Sequence, residues 1–295
     1  MRQAKDLKVK ITLFDWGTLF TLKASGMTMN KPMQKVILIT GAASGLGWAL
    51  TQRYHAKEYL IVMVDIQVKL LAERELSLNN PDTVFSADCD ITDAKAIEHL
   101  AMHVQQQFGR LDVLINNAGI THRSLVEKTD PHVFRKVMAV DYQGPVELTL
   151  ALLDLLKSSK GTIINVSSMA GWMPVLGRAG YCAAKSALHQ FFEVMRCEVR
   201  HHGVKILMVY PSFLDTPIET NALGHDGNKA MHTRSIVGGM GSADTVAGEI
   251  ITAHSQGKER LFPNKFTLFA SIVYRIFPSV FLRGMTKKFA SELES

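Results

Sequence analysis

Short runs of apolar residues, separated by stretches with helical periodicity, constrain the fold of this chain more than any other feature. The runs are rich in Val, Ile and Leu and cover residues 36–40, 60–65, 111–116, 162–167 and 205–210, with a weaker run at 83–88. Strands that are apolar on both faces need helices on both sides of the sheet, and βα alternation supplies them. We therefore predict a single-domain α/β fold with a doubly wound parallel sheet of six to seven strands.

Two long helices are predicted from their end signals. Asp130 and Pro131 combine an N-cap acid with a proline at the first helical position, and they predict a helix over residues 130–156 that bends near Gly144. The second helix is predicted over residues 181–202. Its apolar stripe is interpreted as core or as a surface that pairs subunits.

The two ends of the chain differ in charge from its middle. The net charge of +6 comes from basic residues in 1–35 and 258–295, whereas residues 36–257 contain more acidic than basic side chains. A domain that binds nucleic acid would carry a basic face on its folded body, so we expect no nucleic-acid partner. Basic ends favour a weak peripheral membrane contact or simple solubility.

The chain is divided into an N-terminal extension (1–34), a central domain (35–263) and a basic and apolar C-terminal extension (264–295). The apolar stretch 266–277 is too short to span a bilayer. We interpret it as a helix that folds over a cleft or contacts another subunit, with an interfacial amphipathic helix as the alternative.

Cysteine and histidine usage indicates a reducing environment and no metal site. The three cysteines are an odd number without a C-x-x-C pair, and the eleven histidines show no metal-binding spacing. No apolar run reaches the length of a membrane span, and residues 11–22 lack a clear cleavage site for a secretion signal. We expect a cytoplasmic protein, with peripheral membrane attachment as the alternative.

A glycine-rich turn follows the first predicted strand. It reads Thr40-Gly41-Ala42-Ala43-Ser44-Gly45-Leu46-Gly47 and opens into a helix. Glycines let the backbone approach a pyrophosphate, and the free N–H groups and positive dipole of a helix start attract its charge. The order of strand, turn and helix therefore predicts a dinucleotide-binding site.

An acidic residue ends the second predicted strand. Asp65 lies 18 residues beyond Gly47, where a carboxylate can accept hydrogen bonds from the ribose hydroxyls of an adenosine and would repel a 2′-phosphate. Neither Ser44 nor Ile66 is the basic residue that a 2′-phosphate would favour. The sequence thus predicts NAD as cofactor, with NADP less favoured.

Tyr181 and Lys185 lie four residues apart on a predicted helix and therefore on one face of it. A nearby ammonium stabilises a phenolate, so we expect Lys185 to lower the pKa of Tyr181 toward a value suited to proton transfer. Ser168 follows the strand predicted at 162–167, at the edge where open α/β sheets bind ligands. These three residues are candidate catalytic groups.

Taken together, these motifs resemble the short-chain dehydrogenase/reductase family, which has a Rossmann-like fold. The match covers residues 34–263 and includes Asp90, which resembles the adenine contact of the family, and the motif Asn116-Asn117-Ala118-Gly119. The resemblance implies that Ser168, Tyr181 and Lys185 are catalytic. It implies that the dinucleotide is bound by Gly41, Ser44, Gly45, Leu46, Gly47, Asp65, Asp90, Asn117, Ala118, Gly119, Tyr181, Lys185, Pro211 and Thr216.

Two positions depart from the pattern of that family. Asp141 stands where the family has an asparagine that completes a catalytic tetrad, and Ser212 follows Pro211 where glycine is usual. The backbone carbonyl of an aspartate can still hold the water that the asparagine holds. Its carboxylate, however, is expected to alter the proton relay through Lys185.

The resemblance implies an oxidoreductase that transfers a hydride between NAD(H) and an alcohol or ketone, without a metal, in a homodimer or homotetramer. Six apolar side chains suggest a lipid-like, steroid-like or aromatic substrate, namely Met173, Val175, Leu176, Phe213, Ile218 and Leu223. The alternative is that several of them simply pack beneath a mobile lid at 217–241. The alternatives are a non-catalytic dinucleotide-binding sensor, which Asp141 motivates, and a scaffold at a membrane surface.

Overall fold

Seven parallel strands form one sheet in the order β3-β2-β1-β4-β5-β6-β7, in a computed structural model that describes residues 34–231 and 239–289. The strands are β1 (Val36–Thr40), β2 (Leu60–Asp65), β3 (Val84–Asp88), β4 (Val113–Asn116), β5 (Thr162–Val166), β6 (Lys205–Val209) and β7 (Arg260–Leu261). The predicted fold class and the predicted number of strands are confirmed.

The helices connect successive strands and extend beyond the last one. They are α1 (Gly45–His55), α2 (Val68–Leu78), α3 (Ala94–Phe108), α4 (Pro131–Met138), α5 (Gly144–Ala151), α6 (Leu153–Ser159), α7 (Ala179–Val199), α8 (Pro217–Thr220), α9 (Ala243–Ser255), α10 (Lys265–Ile276) and α11 (Pro278–Lys288). Within the described ranges, every helix is too short or too polar to cross a bilayer.

Successive residues of one strand enter two different cores. In β1, Leu38 packs with Leu100 of α3 and Leu188 of α7, whereas Ile37 packs with Leu50 of α1 and other residues on the opposite side of the sheet. This alternation follows from the two-residue period of a strand. It explains why the strands are apolar throughout and why helices cover both faces.

The order of the strands reverses direction beside β1. The chain runs from β1 to β2 and β3 on one side, then returns to place β4 against the other side of β1. Open α/β sheets bind ligands at such a switch point, outside the carboxyl ends of the strands. Here the carboxyl ends of β1, β2, β4 and β5 share that edge.

Several predicted strand ends are wrong by one or two residues. β4 begins at Val113 rather than at residue 111. The Asp112 backbone still bonds to Val36 and Thr162, and its carboxylate also accepts the N–H of Val36. Likewise, β3 begins at Val84, β5 ends at Val166 and β6 ends at Val209. The two-residue β7 is too short to be recognised from composition.

The first long helix is interrupted rather than bent. Asp130 caps α4 as predicted, accepting the N–H of His132 at 3.1 Å. A π-helical segment, Ala139–Gln143, then precedes α5, and Leu152 separates α5 from α6. Pro145 has no N–H to donate to the carbonyl of Asp141 four residues earlier, which accounts for the irregular turn.

The prediction for the second long helix agrees with the structure. α7 covers most of the predicted 181–202, its stripe of Leu188, Phe192 and further residues is buried, and Gly203 follows at a φ of 79°. α9 begins directly after Ser242. Residues 1–33 of the predicted N-terminal extension and residues 232–238 of the predicted lid lie outside the described ranges.

Candidate active site

A cavity of about 950 Å³ opens at the carboxyl edge of the sheet. It extends from the glycine turn past the ends of β2 and β4 to the start of α7. Most of the predicted site residues line it, namely Gly41, Ser44, Gly45, Leu46, Asp65, Asp90, Asn117, Ala118, Gly119, Ser168, Tyr181, Lys185, Pro211 and Thr216. The sequence motifs therefore meet in one place, with Gly47 and Asp141 directly behind the cavity wall.

The glycines of the turn are required by its backbone. Gly41 and Gly45 have φ values of 65° and 52°, in the left-handed region where residues with a Cβ are strained. A Cβ on Gly47 would lie 2.0 Å from the carbonyl oxygen of Gly41, so α1 can begin this close to the turn only with glycine there. The first N–H groups of α1, which have no acceptor within the helix, are thereby presented at the cavity.

The loop after β4 braces the glycine turn. The Thr40 hydroxyl accepts the backbone N–H groups of Asn117 and Ala118, each at 3.0 Å, and donates to the carbonyl of Ile115. The Asn117 side chain donates to the carbonyl of Thr40 at 2.9 Å. These bonds explain why an Asn-Asn-Ala-Gly motif accompanies the turn, since it holds β1 and β4 together at the switch point.

Asp65 faces the turn from the end of β2. Its carboxylate accepts the backbone N–H of Ala43 and that of Gln67, each at 3.0 Å, so its position in the cavity wall is fixed. Arg74 of α2 was not identified from the sequence, yet its Nε donates to the carbonyl of Ala43 and its guanidinium lies 4.8 Å from the Trp48 ring centroid. Arg74 and Asp65 therefore both bond to the backbone of Ala43, although Arg74 is 31 residues away from it in the chain.

Asp90 lies in the turn after β3. Its Oδ1 atom accepts the backbone N–H of Thr92 at 2.8 Å and the Thr92 hydroxyl at 2.7 Å, and the residue lines the cavity. The predicted residue is thus in the cavity wall.

Ser168, Tyr181 and Lys185 converge at the other end of the cavity. Ser168 follows β5, and its Oγ accepts the N–H of Ala170 at 3.1 Å in a short 3₁₀ turn. Tyr181 forms a side-chain hydrogen bond with Ser168. The Nζ atom of Lys185 donates to the carbonyl of Val166 at 3.2 Å and lies 5.8 Å from the centroid of the Tyr181 ring.

The turn that carries Ser168 packs closely on α7. A Cβ on Gly171 would lie 2.7 Å from the carbonyl oxygen of Lys185, and the Ser186 hydroxyl donates to the carbonyl of Gly171 at 3.1 Å. This close approach fixes Ser168 against the first turns of the helix that supplies Tyr181 and Lys185.

Asp141 is fully buried behind this trio. Its Oδ1 accepts the backbone N–H of Ile120 at 2.8 Å, and its Oδ2 lies 3.5 Å from the Nζ of Lys185. Burial raises the pKa of the Asp141 carboxyl, while Lys185 and the Ile120 N–H oppose that rise. The position that departs from the family pattern thus contacts Lys185, the lysine predicted to be catalytic.

The predicted lowering of the Tyr181 pKa is not what this environment produces. Burial raises the pKa of the Tyr181 phenol, and the Asp141 carboxylate raises it further, whereas the Ser168 hydrogen bond lowers it. The Lys185 ammonium contacts the Val166 carbonyl and the Asp141 carboxylate. These partners partly neutralise its charge and so weaken its electrostatic effect on the Tyr181 phenol. Sequence spacing identified the neighbours but carried no information on burial.

The remaining cavity wall is largely apolar, although Arg178 and Glu219 also line it. Five of the six side chains predicted for it line the cavity, and they are Met173, Val175, Phe213, Ile218 and Leu223. Leu176 is the exception and does not line the cavity. α10 and α11 supply the far side, through Ala270, Val273, Phe281 and Met285 among others.

Two buried polar contacts support this region and were missed from the sequence. Arg178 donates to the Glu219 carboxylate at 2.9 Å and to the Thr121 hydroxyl at 3.2 Å, which ties α8 to the loop after β4. His122 accepts the backbone N–H of Gly180 through Nε2 at 2.9 Å, at the start of α7. Both contacts join residues more than 40 positions apart, so no local pattern indicates them.

Comparisons with known proteins agree with this geometry. The family model described as short chain dehydrogenase matches residues 35–226. The chain is 33% identical over 269 residues to mouse dehydrogenase/reductase SDR family member 7B, covering 88% of this chain and 83% of that protein. It is 31% identical over 219 residues to 11-beta-hydroxysteroid dehydrogenase A of Sesamum indicum, covering 73% and 60%.

A solved structure shows the same relationship. A short-chain dehydrogenase from Streptomyces avermitilis superposes with a TM-score of 0.71 at 28% identity, covering 90% of this chain and 96% of that one. The motifs, the fold and these similarities point to one conclusion. The chain belongs to the short-chain dehydrogenase/reductase family and is an oxidoreductase.

Proposed function

We propose that this enzyme transfers a hydride between NAD(H) and an apolar alcohol or ketone. The observation that carries the proposal is the single cavity that joins the glycine turn at one end to Ser168, Tyr181 and Lys185 at the other. An adenosine site and a proton-transfer site belong together in a dinucleotide-dependent dehydrogenase.

The residues of the first half of the cavity fit a dinucleotide. The glycine turn leaves no room for a Cβ at Gly47 and presents the N-terminus of α1, which suits a pyrophosphate. Asn117, Ala118, Gly119, Pro211 and Thr216 continue the wall toward Tyr181. When bound, the nicotinamide gives up or accepts a hydride.

The proposed cofactor preference is for NAD(H). Asp65 lines the cavity at the end of β2, and both of its oxygens retain lone pairs for ribose hydroxyls after accepting one backbone N–H each. Its charge opposes a 2′-phosphate at the same place. Arg74 is engaged with the Ala43 carbonyl and the Trp48 ring.

The second half of the cavity supplies the proton chemistry. Ser168 holds the substrate oxygen by a hydrogen bond, and Tyr181 removes the proton of an alcohol or returns it to the oxygen of a ketone. Lys185, fixed by the Val166 carbonyl, holds ribose hydroxyls beside Tyr181. Asp141 holds the ammonium of Lys185 from behind.

The cavity wall supports an apolar substrate. Met173, Val175, Phe213 and residues of α10 surround the space beside Ser168 and Tyr181. A wall of this kind binds steroid-like, lipid-like or aromatic molecules. The similarity to an enzyme named 11-beta-hydroxysteroid dehydrogenase A supports the same substrate class.

A dinucleotide-binding sensor without turnover is the second candidate. It is favoured by one observation, the Asp141 carboxylate that raises the pKa of the Tyr181 phenol. In a sensor the dinucleotide would bind tightly while proton transfer failed.

A screen of alcohols and ketones with NAD(H) and NADP(H), followed by absorbance of the reduced cofactor, tests the proposal. We expect turnover of apolar substrates with NAD(H), and a loss of at least about 10³-fold in kcat for Tyr181→Phe with NADH binding retained. Tyr59→Phe, at a tyrosine far from the cavity, is the matched control. Full turnover in Tyr181→Phe would disprove the mechanism, and tight NADH binding without any turnover would favour the sensor.

A further inference from the structure

The outer face of the C-terminal helices is unusually apolar. Of sixteen exposed large apolar side chains in the described residues, seven lie between residues 266 and 282. On α10 they are Phe266, Phe269, Ile272 and Ile276, at steps of three, three and four residues that place them on one side of the helix. Phe277, Val280 and Leu282 continue the surface onto α11. We call these seven side chains the C-terminal apolar patch.

The fully buried residues of α10 are polar, whereas four of its large apolar side chains are exposed, the reverse of an ordinary surface helix. Thr267 and Ser271 are its buried residues, and their hydroxyls donate to the carbonyls of Asn264 and Leu268 within the same segment. Those hydroxyls therefore need no partner on the body of the protein. The exposed apolar side chains of α10 form a contiguous surface of the kind that marks an interaction site. We infer that something other than water covers this face of the helix.

The charge around the patch has one sign. From Arg260 to Lys288 the sequence contains basic residues and no Asp or Glu. Lys265, Arg283 and Lys287 are exposed beside the patch. A second copy packed on the patch around a two-fold axis would bring these cations against their own equivalents, so self-association through this face is disfavoured. A surface of anionic lipid headgroups above acyl chains matches both the charge and the apolar side chains.

The mouth of the cavity lies within the same patch. Phe266 and Val280 are both exposed and both line the cavity, one from α10 and one from α11. Phe281 and Met285, which are less exposed, continue the wall inward. The cavity therefore borders the patch at residues of both helices.

We propose that the C-terminal apolar patch docks on an anionic lipid bilayer, with the cavity mouth facing the acyl chains. An apolar substrate dissolved in the bilayer then enters between α10 and α11 without crossing water. The entry step rests on the proposed function, whereas docking itself needs neither cofactor nor turnover. Interfacial helices of this composition lie about 5–10 Å deep, within the boundary between headgroups and acyl chains.

Vesicle binding of the full chain tests the docking. Phosphatidylcholine vesicles with and without phosphatidylserine are sedimented with wild type, with Phe269→Glu/Ile272→Glu, and with the control Leu76→Glu/Met102→Glu, which changes exposed apolar residues of α2 and α3. We expect wild type and control to bind the anionic vesicles, and the patch variant to bind at least about ten-fold more weakly. Circular dichroism and thermal melting check that each variant is folded.

Charge is tested separately. Arg283→Gln/Lys287→Gln should weaken binding to the anionic vesicles by roughly five-fold for each charge removed. A Phe269→Trp variant should also show fluorescence quenching by brominated lipids that a Leu76→Trp variant does not show.

Four results would overturn the proposal. They are no binding of wild type to either vesicle, equal binding to neutral and anionic vesicles, equal loss in the patch variant and the control, and a wild-type dimer that Phe269→Glu/Ile272→Glu converts to monomer. The last would identify a second copy as the occupant. If the substrate screen is silent but the patch variant loses vesicle binding, docking stands and the hydride-transfer proposal fails.

The entry step has its own measurement once a substrate is known. Phe269→Glu/Ile272→Glu should raise the KM for a substrate dissolved in anionic vesicles and leave the KM for a water-soluble substrate unchanged. An unchanged KM in both cases would show that substrates do not enter through the patch.

Discussion

The Oδ2 atom of Asp141 lies 3.5 Å from the Nζ atom of Lys185, at a carboxyl group that solvent does not reach. Burial raises the pKa of that carboxyl, and the ammonium and the Ile120 N–H oppose the rise. The carboxylate in turn raises the pKa of the Tyr181 phenol, which burial has already raised. Tyr181, the residue proposed to take the proton in oxidation, is therefore electrostatically coupled to Asp141.

Asp141→Asn should move the pH profile of alcohol oxidation toward lower pH. Tyr181 must lose its proton to act as a base, so oxidation increases as pH rises through the pKa of Tyr181. Removing the negative charge of Asp141 lowers that pKa, and the asparagine Oδ1 can still accept the Ile120 N–H. The kcat of oxidation is measured against pH for wild type, Asp141→Asn and the exposed control Asp154→Asn. An unmoved profile in Asp141→Asn would remove Asp141 from the proton-transfer chemistry.

Asp65→Asn should narrow the preference for NADH over NADPH. The amide keeps the size of the carboxyl group but loses its charge, so ribose hydroxyls bind less tightly and a 2′-phosphate is no longer repelled. We expect the Kd for NADH to rise about ten-fold, and the Kd for NADPH to fall because Arg74 remains beside Ala43. Fluorescence titration with each reduced cofactor measures both constants. Asp88→Asn, at the neighbouring strand end, should change neither, and a parallel weakening of both cofactors would contradict the charge argument.

Several site residues could be predicted from the sequence because they lie directly at the carboxyl ends of strands. The glycine turn, Asp65 and Ser168 each follow an apolar run directly, and parallel strands bring those ends to one edge of the sheet. Tyr181 and Lys185 were recognisable because four residues of helix place them on one face. Local order in the chain was sufficient for all five.

The remaining features depend on packing between distant segments. His122 meets Gly180 across 58 residues and Arg178 meets Glu219 across 41, so neither pair has a local signature. The rise in the pKa of Tyr181 follows from burial, which spacing cannot reveal. The part of the cavity wall that α10 and α11 supply depends on how these helices fold back. Composition alone left open a helix over a cleft, a subunit contact and an interfacial helix.

Gly47→Ala should disrupt the glycine turn and abolish NADH binding. Its Cβ would lie 2.0 Å from the carbonyl oxygen of Gly41, which is backbone and cannot move without changing the turn. We expect the free energy of unfolding to fall by about 1–3 kcal/mol. Gly248→Ala is a matched control inside α9, where the added methyl group meets the flexible Arg53 side chain at 3.4 Å.

The control should be stabilised by up to about 1 kcal/mol, because alanine favours a helix over glycine. Urea denaturation and NADH titration of both variants provide the comparison. If Gly47→Ala bound NADH as wild type does, the close approach at the start of α1 would not be required for the cofactor site.

His122→Gln should make the protein less sensitive to mild acid. The imidazole is buried, its Nε2 accepts the Gly180 N–H, and burial together with Arg178 lowers the pKa of His122 to about 4. In the unfolded chain the same group titrates near 6.5, so between these values the unfolded state binds more protons and native stability falls as pH falls. From pH 7 to pH 5 this loss amounts to about 2 kcal/mol. This loss of stability is absent when the pH is above both pKa values of His122, the folded and the unfolded one.

Glutamine can accept the Gly180 N–H without titrating, so the loss of stability between pH 7 and pH 5 should be smaller by that amount in His122→Gln. Urea denaturation at the two pH values measures it, with the exposed His99→Gln as control. Protonation of His122 also removes the acceptor of the Gly180 N–H in the first turn of α7. Because Gly180 directly precedes Tyr181, this change destabilises the helix turn that holds Tyr181. Activity measured near pH 5 should therefore decline less in the variant than in wild type, whereas an identical acid response in both proteins would show that His122 is not the group responsible.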